Sequence, residues 1–374
     1  MEFQSIKSHF PECTGYKIAG SVLVLQCPQP PSSTPLTVGG LPTVFVPDMR
    51  EYDALGGLPG NPRIAVASAS SNNPDNYFPT FAQLEADFVH LREIYPNIAK
   101  ICFKTTHYVV TLLSTYFDAE SYPGKLGKHS VVYTWPGRLK PHSRPRLMTP
   151  SFKLVVDGDI TDYRAFGLTP GVKVVGLSKA TSSGVLVENG GERAITLADH
   201  GFQDSDDVYH PDRLPQWLLG TIALRFPFID TALCKLSASL NYSNKTYFTA
   251  NPPKRMVSTD FVDQHIRFGT WFECEGFTVG RAHMMYEGPA VGYPGLPPYV
   301  ENSYLLKSFE FAYFGPEVGL PADGLCGAPV VHEKSDDPMM DGIVLGFIWL
   351  VADRDSVVAS VDDLLEAGWQ IADQ

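Results

Sequence analysis

One tight turn near the end of the chain carries a thiol between glycines. Residues 323–331 read Asp-Gly-Leu-Cys-Gly-Ala-Pro-Val-Val, with Cys326 between Gly324 and Gly327. Glycines let the backbone turn sharply and present N–H groups beside the sulfur. A nucleophile next to such amides has the geometry that acyl transfer requires. Free cysteine is also among the most buried residue types, so the turn by itself favours a buried thiol in a tight loop.

Two other stretches carry the partners that a thiol nucleophile needs. In residues 194–202 a strand-like run leads directly into His200, and in residues 228–236 Asp230 begins an apolar run. A histidine can take the proton of a thiol, and a carboxylate can orient the imidazole and stabilise its charged form. The order along the chain is therefore His, Asp, Cys.

Other acidic residues follow the histidine closely. Asp204, Asp206 and Asp207 form either a solvated acidic loop or a source of competing partners for His200. Asp230 is preferred for the orienting role because, of these four acids, it alone begins an apolar strand.

The elements that must position these side chains are mostly short strands. Apolar runs recur between residues 153 and 351 with turn residues between them, a pattern typical of a β-sandwich or β-barrel. The Asn-Gly-Gly sequence at 189–191 predicts a hairpin turn. Ser360 with Asp363 predicts the start of a short C-terminal helix over 360–368 that Gly368 ends.

The first part of the chain, residues 1–137, is predicted to contain both helix and strands. Thr80 and Gln83 form a capping box for a helix that Pro96 ends. Residues 51–79 predict mostly loop, because they are rich in Gly, Pro, Asn and Ser. The predicted strands are residues 21–27, 42–47, 99–115 and 129–135. Residues 138–150, basic and containing proline, predict a linker or an exposed cleavable site.

Composition limits the classes of partner. The 374 residues are 44% hydrophobic, enough for two or three domains, and the net charge of −12 argues against nucleic acid. The six cysteines show no zinc spacing, so no metal or cofactor is expected. No signal-peptide core or membrane-length apolar run is present, so we expect a cytoplasmic protein with free thiols and no membrane partner. The sequons at Asn241 and Asn244 are discounted for the same reason.

Taken together, the three stretches resemble the chymotrypsin/trypsin-like protease superfamily. Its histidine, aspartate and serine signatures are matched, respectively, by residues 196–200 (Thr-Leu-Ala-Asp-His), 230–233 (Asp-Thr-Ala-Leu) and 324–329 (Gly-Leu-Cys-Gly-Ala-Pro). The resemblance covers about residues 155–372. It implies a mainly β, chymotrypsin-like double β-barrel with a C-terminal helix, preceded by an α+β N-terminal domain. The implied bounds are 151–374 for the protease domain, 155–250 for barrel one and 265–355 for barrel two.

The resemblance also implies a site. His200, Asp230 and Cys326 would form the catalytic triad, with the amides of Gly324 and Cys326 as oxyanion hole. The substrate pocket would include Leu320, Trp349, Leu350 and Val351, and it would accept an apolar or small residue.

Two departures from the pattern of the superfamily are informative. Leu325 replaces the Asp of zymogen-derived proteases, so activation by N-terminal cleavage is not expected, and Gly201 replaces a disulfide cysteine. Degenerate domains of this kind with a Cys nucleophile occur in intracellular fungal proteins, so a fungal source is expected.

The predicted function is that of a cysteine endopeptidase that cleaves protein or peptide substrates through a thioacyl-enzyme. Two alternatives remain open. The fold could serve as a catalytically inactive binding module, or the same cysteine could act as an acyltransferase or thioesterase on a non-peptide ester. The substrate, the oligomeric state and the role of residues 1–150 are not specified by the sequence.

Overall fold

The computed structural model divides the chain into two compact units. Unit 1 comprises Met1–Lys140 and Glu287–Lys307, and unit 2 comprises Pro141–Tyr286 and Ser308–Gln374. Residues 287–307, placed in the second barrel by the sequence, therefore group with the first unit. The structure describes residues 3–19, 22–29, 37–38, 41–46, 49, 58–68, 79–104, 107–114, 118, 120–135, 168–211, 217–238, 240–244, 251–277, 280–293, 304–314, 324–352 and 355–372.

Unit 1 combines two β-sheet regions with helices. Its helices are α1 (Phe3–His9) and α2 (Phe81–Ile94). Its strands are β1 (Gly15–Ala19), β2 (Val22–Gln26), β3 (Thr37–Val38), β4 (Leu41–Val46), β5 (Leu58–Pro59), β6 (Asn61–Val66), β7 (Ile98–Lys104), β8 (His107–Leu112), β9 (Pro123–Leu126) and β10 (His129–Thr134). One sheet has the order β1-β2-β4-β3, and the other runs β7-β8-β10-β9-β6 with β5 beside β10. Both sheets are mixed: β2–β4, β8–β10 and β6–β9 are parallel pairs, whereas β1–β2, β7–β8 and β9–β10 are antiparallel.

The predicted capping box of α2 is confirmed. The Gln83 amide donates to Thr80 Oγ1 at 3.2 Å, and the Thr80 amide donates to Gln83 Oε1 at 2.9 Å. These bonds satisfy amides that a helix N-terminus otherwise leaves without partners. The buried face includes Phe81, Leu84, Phe88 and Leu91, as the helical spacing predicts.

One expectation for unit 1 is wrong, and another omitted two strands. Strands β5 and β6 lie within residues 51–79, which the sequence indicated as mostly loop. Pairing with β9 and β10 supplies the hydrogen bonds that the local propensity does not indicate. Cys13 and Cys27 form a disulfide rather than two free thiols, while the other four cysteines are free.

Unit 2 contains the strands of both predicted barrels. They are β11 (Lys173–Val175), β12 (Ala180–Ser182), β13 (Leu186–Asn189), β14 (Glu192–Ala198), β15 (Asp207–Tyr209), β16 (Leu218–Phe226), β17 (Thr231–Leu236), β18 (Arg255–Met256), β19 (Trp271–Gly276), β20 (Gly280–Gly292), β21 (Leu306–Phe314), β22 (Pro329–His332), β23 (Ile343–Ala352), β24 (Asp355–Ser360) and β25 (Gln370–Ile371). Its helices are α3 (Thr259–His265) and α4 (Asp362–Glu366). Strand β20 continues into unit 1, where residues 290–292 pair with β7.

The sheets of unit 2 give the predicted mainly β, double-barrel architecture. The first sheet, ordered β12-β11-β15-β16-β17-β14-β13-β25, curls into a half-barrel. The second closes into a six-stranded barrel, β19-β22-β23-β24-β21-β20, because β20 also pairs with β19. Closure leaves no free sheet edge, which suits strands as apolar as these.

In unit 2 the predicted hairpin turn at 189–191 is confirmed, whereas the predicted helix cap at Ser360 is wrong. The hairpin between β13 and β14 turns at Gly190 and Gly191, with φ of 57° and 89°, as Asn-Gly-Gly predicts. Helix α4 is shorter than predicted, and Ser360 lies in β24 instead of capping it. Asp362 accepts hydrogen bonds from the amide and hydroxyl of Thr259, so a tertiary contact fixes this helix start.

Within the described residues, no helix is long and apolar enough to cross a membrane.

Candidate active site

Strand pairing brings the histidine and the aspartate together. Strand β14 ends at Ala198 and leads into a 3₁₀ turn, Asp199–Gly201, that carries His200. Strand β17 begins at Thr231, directly after Asp230, and Ala198 is the register partner of Thr231. The residues that extend these two strands therefore lie next to each other.

The contact between His200 and Asp230 uses both carboxylate oxygens. The ring Nδ1 of His200 lies 2.6 Å from Asp230 Oδ2, and the His200 amide donates to Oδ1 at 2.8 Å. The Asp199 amide donates to the backbone oxygen of Asp230 at 3.0 Å. Asp230 has a left-handed φ of 51°, a conformation that aspartate tolerates better than most residues. Three hydrogen bonds thus fix the ring relative to the carboxylate.

The three competing acids have other partners. Asp206 pairs with Arg225 at 2.7 Å, Asp204 accepts from Ser178, and Asp207 accepts from the Tyr209 hydroxyl. None of these contacts involves His200. Of the four acids considered from the sequence, Asp230 is the one that the structure places against the imidazole.

Cys326 lies in a turn that two left-handed glycines shape. Gly324 and Gly327 have φ of 88° and 87°. A Cβ at Gly327 would lie 2.5 Å from the backbone oxygen of Ser182 and 3.0 Å from the Ala198 amide nitrogen. Only glycine lets this turn approach the end of β14, two residues before His200.

Hydrogen bonds hold the turn against β23. The Gly327 amide donates to Ile348 O at 2.9 Å, and the Ile348 amide donates to Ala328 O at 3.0 Å. The thiol of Cys326 lies 3.4 Å from the backbone oxygen of Trp349 and is partly exposed. The free cysteines Cys102, Cys234 and Cys274 are buried instead. Burial raises the pKa of the Cys234 thiol to about 12.

The imidazole of His200 is strongly basic in this setting. Burial alone would lower the pKa of His200, but hydrogen bonds with Asp230 and with Cys326, together with their negative charges, raise it to about 10. Nδ1 of the ring therefore contacts the carboxylate, and the ring lies near enough to Cys326 for the thiol to raise its pKa. At neutral pH the raised pKa favours an imidazolium beside the Asp230 carboxylate.

The remaining predicted site residues belong to the oxyanion hole and the substrate pocket, and the structure describes only part of them. In the described part of the chain, the backbone amides of Gly324 and Cys326 donate to no protein acceptor. Trp349 is half-buried beside the thiol. Leu320 lies outside the described residues, and for Leu350 and Val351 only the backbone of β23 is described.

Among the described residues one group has a metal-ligand composition: Glu273, His283 and Glu333. Its buried member, Glu273, already accepts from the Arg281 guanidinium and from the Asn251 amide. His283 Nδ1 lies 2.6 Å from Glu333 Oε1. These contacts account for the group as a structural ion network, because its buried carboxylate has partners.

Two side chains that brace the site were not identified from the sequence. Arg225 bonds the carboxylate of Asp199, the backbone oxygen of Phe202 and Asp206. The sequence feature that could have identified Arg225 is its position as the single charged residue in the apolar run of β16. Ser182 bonds the backbone of the Cys326 turn, and its only signal was a run of hydroxyl residues, 181–183, before Gly184.

Comparisons with known proteins give weak similarities. No family model matches the sequence, and no curated protein is detectably similar to it. A solved glutamic-acid-specific serine protease is 13% identical with a TM-score of 0.38, covering 55% of this chain and 100% of its own. Thermobifida fusca protease A and Cellulomonas bogoriensis chymotrypsin are each 14% identical with a TM-score of 0.38, covering 56% of this chain and 100% of their own. Similarity at this level does not by itself establish an activity.

Proposed function

We propose that this protein is a cysteine peptidase that hydrolyses protein or peptide amides through Cys326, His200 and Asp230. The observation that carries the proposal is the position of His200, whose ring Nδ1 lies 2.6 Å from Asp230 Oδ2 and whose pKa is raised by both Asp230 and Cys326. Such an arrangement activates a nucleophile and supplies a proton to a leaving group. Neither step requires a metal or cofactor.

The first half-reaction forms a thioacyl-enzyme. The Cys326 thiolate attacks the carbonyl carbon of the substrate, an S–C bond forms, and the carbonyl electrons move to oxygen. The amides of Gly324 and Cys326 donate to this oxyanion. When the tetrahedral species collapses, the C–N bond breaks and the imidazolium of His200 protonates the departing amine.

The second half-reaction returns the enzyme to its starting state. Neutral His200 takes a proton from water, the resulting hydroxide equivalent attacks the thioester carbonyl, and the C–S bond breaks. The products are a carboxylic acid and the Cys326 thiolate beside an imidazolium. Asp230 keeps the imidazole oriented and stabilises its charge in both halves.

The direct test is covalent labelling of Cys326 by a peptidyl chloromethyl ketone. We expect wild type to be labelled on Cys326 only, because Cys102, Cys234 and Cys274 are buried. His200→Ala should slow labelling by about 10²-fold, since proton transfer contributes that much. Mass spectrometry of the digested protein measures both. The matched control is His283→Ala, which removes another half-exposed histidine.

Equal labelling rates in wild type and His200→Ala would contradict the proposal. The class of substrate is then decided by following turnover of a peptide mixture alongside simple thioesters and esters. Amide cleavage that depends on Cys326 supports a peptidase. Turnover of esters without amides would instead assign an acyltransferase or thioesterase, and labelling without any turnover would assign a binding module.

A further inference from the structure

Ser182, the last residue of β12, is joined to both sides of the Cys326 turn. Its hydroxyl donates to the backbone oxygen of Gly324 at 2.8 Å, and its amide donates to the backbone oxygen of Cys326 at 3.0 Å. The residue is completely buried. One residue therefore binds the two carbonyls that flank Leu325.

Hydrogen bonds fix all three carbonyls of the Gly324–Cys326 turn. The carbonyls of Gly324 and Cys326 bind Ser182, and the carbonyl of Leu325 accepts from the Ala328 amide at 3.0 Å. Across a trans peptide the N–H points opposite to the C=O, so fixing Leu325 O also fixes the Cys326 N–H. With its carbonyls fixed, the turn keeps this N–H available for an oxyanion.

Packing around the hydroxyl is tight. A Cβ at Gly276 would lie 2.5 Å from Leu325 Cδ1 and 2.7 Å from Ser182 Oγ. Leu325 is fully buried, and the Phe277 amide donates to Ser182 Oγ at 3.4 Å. Leu325 anchors the middle of the turn through apolar contact, and the Ser182 hydroxyl is the polar group that orients Gly324. Gly324 needs such a restraint, since a glycine at φ of 88° has access to many other conformations.

We propose that Ser182 is a positioning residue whose hydroxyl holds the Gly324–Cys326 turn in the conformation that stabilises an oxyanion. The inference rests on the proposed acyl-transfer function. Without the hydroxyl, Gly324 O loses its donor, and the peptide group between Gly324 and Leu325 loses this restraint. The Cys326 thiol makes no hydrogen bond with this hydroxyl, since its partner is the backbone oxygen of Trp349.

Two reactions of Cys326 separate these effects. Acylation by p-nitrophenyl acetate forms an S–C bond to the acetyl carbon, passes through an oxyanion, and releases p-nitrophenolate. Alkylation by iodoacetamide displaces iodide from carbon and forms no oxyanion. Loss of oxyanion stabilisation slows only the first reaction.

The experiment compares wild type, Ser182→Ala and Ser183→Ala in both reactions. Ser183 is the matched control, since it is a fully buried neighbouring serine whose hydroxyl bonds Thr169 O at 3.0 Å and lies 2.9 Å from the Tyr242 hydroxyl. For Ser182→Ala we expect acylation to fall at least about 10-fold while alkylation stays within about 2-fold of wild type. Ser183→Ala should change neither rate by more than about 2-fold.

The outcomes distinguish the inference from the proposed function. If wild-type Cys326 is alkylated but never acylated, the acyl-transfer function fails. If wild type is acylated and Ser182→Ala matches Ser183→Ala in both reactions, the role of Ser182 is overturned and the function stands. Parallel loss of acylation and alkylation in Ser182→Ala, with Ser183→Ala intact, would also overturn it by showing a general effect on the thiol.

Discussion

The contacts of individual side chains determine which aspartate orients the imidazole of His200. Four aspartates compete in the sequence, which favours Asp230 because it begins an apolar strand, and their contacts show that Asp230 is the one that meets the imidazole. Asp206 is held by Arg225, whereas Asp230 accepts from both the ring and the amide of His200. The left-handed backbone at Asp230 turns its side chain back toward the 3₁₀ turn that carries His200.

The charge state of His200 is the first prediction at this scale. In wild type the imidazole should remain protonated through neutral pH, because its pKa is raised to about 10. Asp230→Asn keeps a carbonyl acceptor but removes the charge, and it should lower the pKa of His200 by about 1–3. Ring ¹⁵N chemical shifts followed by NMR against pH measure this directly. Titration of wild-type His200 near its ordinary value would contradict the ion-pair arrangement.

At the scale of elements, the site depends on three chain segments that meet. The end of β14 supplies His200, the start of β17 follows Asp230, and the turn before β22 supplies Cys326. The register of β14 with β17 brings the first two together, and contacts of the turn with Ser182 and with β23 place the third. A change in any of these segments should act on the site through backbone position.

Replacing Arg225 should affect both the stability of the fold and the site. It joins β16 to the 3₁₀ turn that carries His200, chiefly through the buried carboxylate of Asp199. Arg225→Met should destabilise the fold by about 2 kcal/mol, because it leaves that carboxylate without a cation, and it should slow labelling of Cys326. In the double variant Arg225→Met/Asp199→Asn the loss should be smaller than the sum of the single losses by about 1–2 kcal/mol.

Urea unfolding of wild type, both single variants and the double variant measures this coupling. Additive losses would show that Arg225 and Asp199 act independently. Lys235→Met is a suitable control, since it replaces an exposed cation in the adjacent strand β17.

At the scale of the whole molecule, two histidines give opposite pH dependences of stability. His107 in unit 1 is buried, and neither ring nitrogen has a hydrogen-bond partner among the described residues. Burial, with smaller contributions from Lys104 and His129, lowers its pKa to about 3. Between pH 6.5 and 3 the unfolded chain therefore binds the proton that the folded chain does not, so stability falls as pH decreases.

The expected loss from His107 is about 4 kcal/mol between pH 7 and pH 3. His107→Leu should reduce this acid dependence, measured as the unfolding free energy at a series of pH values. His200 acts in the other direction: its raised pKa contributes stability that is complete below pH 6.5 and is lost as the pH rises through about 10. Unchanged acid dependence in His107→Leu would contradict the assignment to this residue.

The class of fold and the candidate site residues follow from patterns in the sequence alone. Alternating apolar runs specify strands, because successive side chains on a strand point to opposite faces. The Asn-Gly-Gly sequence specifies the turn between β13 and β14, and the capping box of Thr80 and Gln83 specifies the start of α2. The three motifs pointed to His200, Asp230 and Cys326, and their catalytic roles remain predictions. Local signals missed β5 and β6, which strand pairing stabilises, and misplaced the start of α4, where Asp362 accepts a hydrogen bond from the Thr259 amide.

Which distant groups meet depends on how the chain folds. Asp230 is 30 residues from His200, and Ser182 Oγ bonds the oxygen of a residue 142 positions away. Such contacts depend on strand register and barrel curvature, which many side chains determine jointly and no local pattern encodes. The sequence therefore identified the Cys326 turn, whereas the fold determined that the hydroxyl of Ser182 holds it.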